Sequence, residues 1–124
     1  MTVFLTVDEV IALHDAEVNA VLLDRGKLEG AVARPQSGFG DYLVFETLWQ
    51  QAAALLHGLV KAHAFFDGNK RCAWISTVVF LDMNDQQLAG ISQSDMADYV
   101  EAVATDAHDI DAIAMWLYEH SLSF

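Results

Sequence analysis

The chain has 124 residues, among them one proline, one cysteine and seven glycines, and 54% of it is hydrophobic. A chain of this length buries roughly two-thirds of its extended surface on folding, so we expect one domain over residues 1–124 that needs no disulfide or metal to hold its core. Six basic residues stand against 18 acidic ones, a net charge of −12. A field of that sign repels phosphate backbones, which argues against direct binding of nucleic acid.

The sequence contains no segment that predicts membrane insertion or export. The longest central stretch without a charged side chain, residues 47–60, includes two glutamines and a histidine, whereas a spanning helix needs about 20 mostly apolar residues. The N-terminal segment has no basic region and reaches carboxylates at Asp8 and Glu9, unlike a signal peptide. A single cysteine, Cys72, fits a reducing compartment. We therefore expect a cytoplasmic protein without membrane contact.

The first predicted helix spans about residues 7–23. Thr6 and Glu9 have the spacing of a capping box, and apolar residues follow at helical intervals. Arg25 and Gly26 are predicted to end this helix.

A short helix is expected over residues 27–34 from the spacing of Leu28, Ala31 and Val32. Pro35 ends it, because proline disfavours helical geometry in the residue before it. Residues 36–41 are predicted to form a glycine-bearing loop. From residue 42 to 62 apolar side chains recur every three or four positions, which predicts a long helix with His63 near its C-terminal end.

Three more helices are predicted in the second half of the chain. Residues 70–83 are apolar enough for a buried central helix, although a strand is possible on propensity alone, and Asn84-Asp85 marks a turn. Ser92 or Ser94 can cap a helix that runs to residue 105, and Asp109 can cap a last one over 110–120. The fold class predicted is all-α, with five to seven helices.

Residues 63–71, His-Ala-Phe-Phe-Asp-Gly-Asn-Lys-Arg, gather the groups of a phosphate-handling site. A loop that leads into a helix offers unpaired amides and the positive end of the helix dipole, so Gly68 to Arg71 would bind an anion. Asp67 could hold a Mg²⁺ shared with phosphates, and His63 could take a proton from an attacking hydroxyl. An ordinary corner between two helices, with His63 and Asp67 capping their ends, is the alternative that the residues alone leave open.

This string resembles the signature of the Fic/Doc family, His-x-Phe-x-acid-Gly-Asn-(Gly or Lys)-Arg, in the lysine form that is typical of the Doc (death on curing) branch. The signature positions are occupied by His63, Phe65, Asp67, Gly68, Asn69, Lys70 and Arg71. Similarity extends to residues 28–35, 52–56 and 80–84, and covers the chain from about residue 13 to 118. The resemblance implies a single-domain helical bundle of the Fic/Doc type.

The resemblance also implies roles for these residues. The motif of the family binds a nucleoside triphosphate, and its histidine activates a hydroxyl of a target protein. Carried over by position, the general base is His63, Asp67 is the Mg²⁺ ligand, Gly68 and Asn69 form the nest for the phosphates, Lys70 and Arg71 hold those phosphates, and Phe65 anchors the loop in the core. The implied catalytic set is His63, Asp67, Lys70 and Arg71.

Two positions bear on the reaction. Family members that transfer adenylyl groups usually have glycine in place of Lys70 and a second arginine in place of Trp74, and both are missing here. The resemblance therefore implies a Doc-like toxin kinase that transfers the γ-phosphoryl group of ATP or another NTP to a translation factor. Doc-type toxins are associated with a threonine of elongation factor Tu. A Fic-type adenylyltransferase and a catalytically silent binding module are the alternatives.

A Phd-type antitoxin is the partner that the resemblance implies. The sequence has no Ser/Thr-x-x-x-Glu-(Gly/Asn) string of the kind that marks an inhibitory helix in the family, so restraint would come from a separate protein. After Arg71 every charged residue is acidic. These carboxylates could receive basic side chains of such a partner, although a solvated acidic face is the simpler interpretation.

The remaining histidines and tryptophans are interpreted as structural. His14, His57, His108 and His120 have no metal-ligand spacing, and Trp49, Trp74 and Trp116 are more typical of a core. Phe39 and Tyr42 lie where related proteins have a target-binding flap, but local packing explains them equally.

Overall fold

Six helices and a short hairpin form the part of the chain that the structure, a computed structural model, describes: residues 1–122. The helices are α1 (Val7–Glu17), α2 (Arg25–Ala33), α3 (Leu48–Ala62), α4 (Asn69–Met83), α5 (Gln93–Ala104) and α6 (Ile110–Glu119). Between α2 and α3 lie a 3-10 turn (Arg34–Gln36) and an antiparallel pair of strands, β1 (Gly38–Phe39) and β2 (Tyr42–Leu43). The predicted all-α fold is confirmed.

Helix α3 lies at the centre of the bundle. Every residue from Gln51 to Leu56 is at most 2% exposed, and α3 packs against α2, α4, α5 and α6. The central position predicted for residues 70–83 is therefore wrong, although the helix itself is confirmed as α4. Only part of α4 faces the core, since Val78 is 36% exposed and Asp82 lies at the surface.

Helix α1 ends at Glu17, well before the predicted end at Leu23. The chain after it is extended and pairs with the segment that follows α3. The Phe66 N–H donates to the Val21 carbonyl at 2.9 Å, and the Leu23 N–H donates to the Ala64 carbonyl at 2.8 Å. These bonds give the Val21 carbonyl and the Leu23 N–H partners outside a helix, so the segment has no need of helical hydrogen bonds. Tertiary pairing thus overrides the helical spacing of the apolar residues.

The same pairing changes the role of Arg25 and Gly26. They begin α2 and do not end α1, because the Asp24 side chain accepts a hydrogen bond from the Lys27 N–H at 3.0 Å and caps the new helix. The predicted start at residue 27 is therefore two residues late.

Helix α3 begins at Leu48, not at residue 42. Thr47 and Gln50 form a capping box: the Thr47 hydroxyl accepts from the Gln50 N–H, and the Gln50 side chain accepts from the Thr47 N–H, both at 3.1 Å. The residues before this cap form the hairpin, so the predicted loop over 36–41 contains β1 and the predicted helix start is strand β2.

The last two helices begin and end close to their predicted positions. Ser92 caps α5 by accepting from the Asp95 N–H at 3.0 Å, and Asp109 caps α6 by accepting from the Ala112 N–H at 2.8 Å. Asp85, in the predicted turn, has a positive φ of 64°. Within residues 1–122, no helix combines the length and apolar character needed to cross a bilayer.

Candidate active site

The motif loop, residues 63–68, joins the C-terminal end of α3 to the N-terminal end of α4. His63 is the C-cap residue of α3, and its backbone is left-handed, with φ 51° and ψ 45°. Histidine is one of the residue types that enter this region more readily than most. The His63 side chain is exposed, and no described residue forms a hydrogen bond with its imidazole. The turn thus exposes to solvent an imidazole that has no hydrogen-bond partner among the described residues.

Phe65 and Asn69 hold the motif loop in shape. The Phe65 N–H donates to the Asn69 side-chain oxygen at 3.0 Å, and the Asn69 amide donates back to the Phe65 carbonyl at 2.8 Å. Phe65 is 2% exposed and Asn69 is 7% exposed, so these bonds satisfy backbone groups that have lost their water. Phe65 lies in the core as the resemblance implies. The Asn69 side chain is thus engaged by the loop itself through its oxygen and one amide N–H, while its backbone N–H faces no acceptor among the described residues.

His14, from α1, packs against the core side of the motif loop. Its side chain is fully buried, and its ring stacks on that of Phe65 with centroids 3.6 Å apart. Nε2 donates to the Asp67 carbonyl at 2.9 Å, and Nδ1 lies 2.9 Å from the Asp15 carboxylate. The structural interpretation of His14 agrees with these contacts. Its link to the motif could not be read from the sequence, because the two segments lie far apart along the chain.

Gly68 is required by both its backbone and its surroundings. Its φ is 79°, and a Cβ at this position would lie 2.5 Å from a methyl carbon of Val18. The Gly68 N–H donates to Oδ1 of Asp67 at 2.8 Å. Asp67 is exposed, and its Oδ2 has no donor among residues 1–122. One carboxylate oxygen therefore shapes the turn while the other is available to a ligand.

The N-terminus of α4 differs from those of the other five helices. Each of those five has a side chain that accepts a hydrogen bond from the first turn, whereas Gly68 at the N-cap of α4 has none. The first bond of α4 joins the Cys72 N–H to the Gly68 carbonyl at 2.8 Å. The N–H groups of Asn69, Lys70 and Arg71 precede it and have no acceptor within the described part of the chain. This arrangement is suited to an anion.

The two cations of the motif line the same groove but differ in whether they pair with a carboxylate. Lys70 forms an ion pair with Glu101 of α5. Arg71 lines a groove of about 500 Å³ between α4 and α5, with Glu17, Trp74 and Met96 among the other lining residues. The structure therefore holds the Lys70 ammonium beside a carboxylate and leaves Arg71 without a carboxylate partner among the described residues.

The thiol beside the motif is not suited to nucleophilic chemistry. Cys72 is buried, and burial raises its pKa to about 11, with a hydrogen bond to Ser76 opposing that shift. The thiol therefore remains protonated at neutral pH and is a poor nucleophile. The ionisable side chains that the motif loop exposes are those of His63 and Asp67.

The other histidines and the tryptophans each have protein neighbours. His57 accepts from Arg34, His108 stacks on Tyr99, and His120 donates to the Trp116 carbonyl at 2.7 Å. Trp49, Trp74 and Trp116 are partly buried against the core. No three metal-ligating side chains cluster within the described residues. These contacts agree with the structural interpretation of all three histidines.

The fold and this loop define the class of the protein. Residues 4–81 match the family described as the Fic/DOC family, and the chain belongs to it.

Two relatives lie in the Doc branch. The chain is 46% identical over 92 residues to Toxin Doc of Mycolicibacterium smegmatis, an alignment that covers 73% of this chain and 71% of that protein. It is 30% identical over 112 residues to Protein kinase doc of Escherichia phage P1, covering 86% of each. The resemblance to the Doc branch is confirmed.

Proposed function

We propose that this protein is a Doc-like toxin that acts as a protein kinase, transferring the γ-phosphoryl group of ATP or another NTP to a hydroxyl of a translation factor. A threonine of elongation factor Tu is the proposed acceptor, and arrest of translation in the cytoplasm is the proposed result. The observation that carries the proposal is the juxtaposition of an exposed imidazole at His63 with the uncapped amides of α4. The relative named Protein kinase doc supports phosphoryl transfer as the reaction.

The proposed phosphate cradle consists of the free N–H groups of residues 69–71 and the guanidinium of Arg71. Amides at a helix N-terminus and the helix dipole stabilise negative charge without any movement of the protein. Asp67 is the only carboxylate of the motif loop, and its free oxygen fits a magnesium ion, which usually takes one or two carboxylates together with substrate phosphates. When bound there, Mg²⁺ would neutralise charge on the phosphate oxygens.

The proposed base is His63. As the hydroxyl oxygen of the target bonds to the γ-phosphorus, its proton moves to the imidazole, and the bond from phosphorus to the β,γ-bridging oxygen breaks. The products are the phosphorylated target and a nucleoside diphosphate. The left-handed turn at His63 and the hydrogen bonds between Phe65 and Asn69 hold the backbone that carries the imidazole in one conformation. This reduces the entropy that is lost in reaching the transition state.

Adenylyl transfer is the second candidate, and the ion pair of Lys70 favours it. If Glu101 keeps the Lys70 ammonium away from the cradle, the space beside the amides is as open as a glycine would leave it. If a bound triphosphate draws Lys70 from Glu101, the ammonium adds a point charge for the terminal phosphates. An exposed ion pair of this kind contributes about 1 kcal/mol or less, so a polyanion can compete for it.

ATP labelled separately at the α and γ positions distinguishes these two reactions. We expect only γ-label on elongation factor Tu after incubation with the protein and Mg²⁺. Lys70→Gly should reduce γ-transfer, whereas Glu101→Gln, which frees the ammonium and leaves the cradle intact, should not. Transfer of the α-label would make the protein an adenylyltransferase. Absence of both labels from every translation factor would support the silent module.

Arg71→Ala should weaken ATP binding by about 2 kcal/mol, because a charge-assisted hydrogen bond to a partly desolvated phosphate is lost. Isothermal titration calorimetry of Mg²⁺-ATP with both proteins measures this difference. Arg25→Ala removes an exposed cation that pairs with Asp8 outside the motif and serves as the control. Equal affinity of the wild type and Arg71→Ala would contradict a role of Arg71 in the cradle.

The proposed partner is a Phd-type antitoxin. The chain lacks the inhibitory string of the family, and its charged residues after Arg71 are all acidic. Basic side chains of an antitoxin have complementary charge to that half of the molecule.

A further inference from the structure

A cationic groove of about 390 Å³ lies between α2 and α3. The residues that line this cationic groove are Lys27, Gly30, Ala31, Arg34, Gly58, Lys61 and Ala62. Three of the seven are cations and none is acidic, on a chain that carries six cations and a net charge of −12. The residues that line the groove therefore carry only positive charge, on a chain that is anionic as a whole.

The floor of the cationic groove is made of small residues. Outside the adjoining backbone of its own helix, no described atom lies within 4 Å of the position that a Cβ on Gly30 would take, and a Cβ on Gly58 would lie only 3.6 Å from Ala31. The helices thus approach closely and leave a trough between their longer side chains. One end of the trough is at Ala62, next to His63 in sequence, and Gly58 lies one helical turn, about 6 Å, further back. The proposed base, His63, is therefore the residue that follows this end of the trough in the chain.

Arg34 is held in place at the far end of the groove. Its Nη1 donates to Nδ1 of His57 at 2.9 Å, and its guanidinium lies 5.8 Å from the centre of the Phe45 ring. Burial, followed by the charge of Arg34, lowers the pKa of His57, so the ring stays neutral and keeps the lone pair that accepts this bond. The remaining N–H groups of Arg34 are preorganised to bind an oxygen anion.

The two lysines of the groove differ in whether a carboxylate pairs with them. Lys61 pairs with Asp106 at 2.9 Å, whereas Lys27 has no carboxylate partner among the described residues. Lys27 lies in the first turn of α2, near the His63 end of the groove, and Arg34 follows the last turn. The two cations without a carboxylate partner thus mark the two ends of the groove.

We propose that the cationic groove binds an acidic segment of the protein substrate, adjacent to the hydroxyl that receives the phosphoryl group. This inference rests on the proposed function. The triphosphate has its own donors at the N-terminus of α4, so the groove is left for another anionic ligand. A trough that ends beside His63 and is floored by glycine and alanine fits an extended chain, whose carboxylates would reach Lys27 and Arg34.

The kinetic test compares two charge reversals in the same turn of α2. Lys27→Glu places a carboxylate in the groove and should raise KM for elongation factor Tu about fivefold or more, with kcat and KM for ATP unchanged. Arg25→Glu makes the same change of charge outside the groove, at a residue that pairs with Asp8, and should alter each constant less than twofold. An effect of Lys27→Glu on KM for ATP alone would overturn the proposal.

A binding test separates this inference from the proposed function. The ¹⁵N-labelled protein is titrated, without nucleotide, with a synthetic peptide of alternating glutamate and glycine around one threonine. We expect shifts at the amides of Gly30, Gly58 and Ala62 that disappear in Lys27→Glu and persist in Arg25→Glu. The groove assignment stands if these shifts occur even when no phosphoryl transfer is found, in which case only the proposed function fails. Absence of the shifts, or the same shifts with Mg²⁺-ATP alone, overturns the groove assignment.

Discussion

Replacing His63 with asparagine should lower phosphoryl transfer by about 100-fold or more while the fold persists, because a positioned base typically contributes 10² to 10⁴ to the rate. Asparagine is the best replacement at this position, since it tolerates the left-handed backbone that His63 adopts at φ 51°. The measurement is initial-rate transfer of γ-label to elongation factor Tu at saturating ATP.

The fold control for His63→Asn is thermal unfolding, and the side chain's exposure makes a large change in stability unexpected. His63→Ala lacks the same base but adds backbone strain, so comparing the two variants separates loss of the base from distortion of the turn. Undiminished transfer or growth arrest by the folded asparagine variant would show that another group takes the proton.

Asn69→Ala should lower the free energy of unfolding by about 3 kcal/mol. The substitution removes two hydrogen bonds and leaves the N–H and C=O of Phe65 buried without partners, and each such group costs about 1 to 3 kcal/mol. Both bonds are fully buried in the structure. Urea unfolding of the wild type and the variant measures the difference, and nucleotide affinity should fall with it because the motif loop loses its clamp.

Asn84 provides a matched control for Asn69. Its side chain forms the same reciprocal pair with the backbone of Val3, accepting from the N–H and donating to the C=O, both at 2.8 Å, but these two bonds are exposed. The Asn84 amide also donates to the Phe80 carbonyl at 2.8 Å, in a partly buried position. Water can replace the two exposed bonds, so Asn84→Ala, which also loses the bond to Phe80, should cost about 1 to 2 kcal/mol, less than Asn69→Ala. Equal costs for the two variants would mean that burial does not set the strength of the Asn69 clamp.

Much of the fold could be predicted from short-range chemistry. The caps at Thr6, Ser92 and Asp109 each act on an amide three residues away, and the structure places helix starts directly after all three. The motif itself is contiguous, so its resemblance to the Fic/Doc family was visible without knowing how the helices pack. The predicted start of α3 was wrong because periodic apolar residues continue into the hairpin, and the cap at Thr47 decides the boundary.

The sequence by itself determined the family, the helical class and the nine-residue motif of the candidate site, because each is encoded by residues close together in the chain. Only the tertiary structure decided where α1 ends, which carboxylates hold Lys61 and Lys70, and that His14 supports the Asp67 carbonyl. The His14 contact spans 53 positions, and the pairs of Lys61 and Lys70 span 45 and 31. Patterns of neighbouring residues carry no information about contacts over such distances along the chain. These partners meet only when the helices have packed into one core.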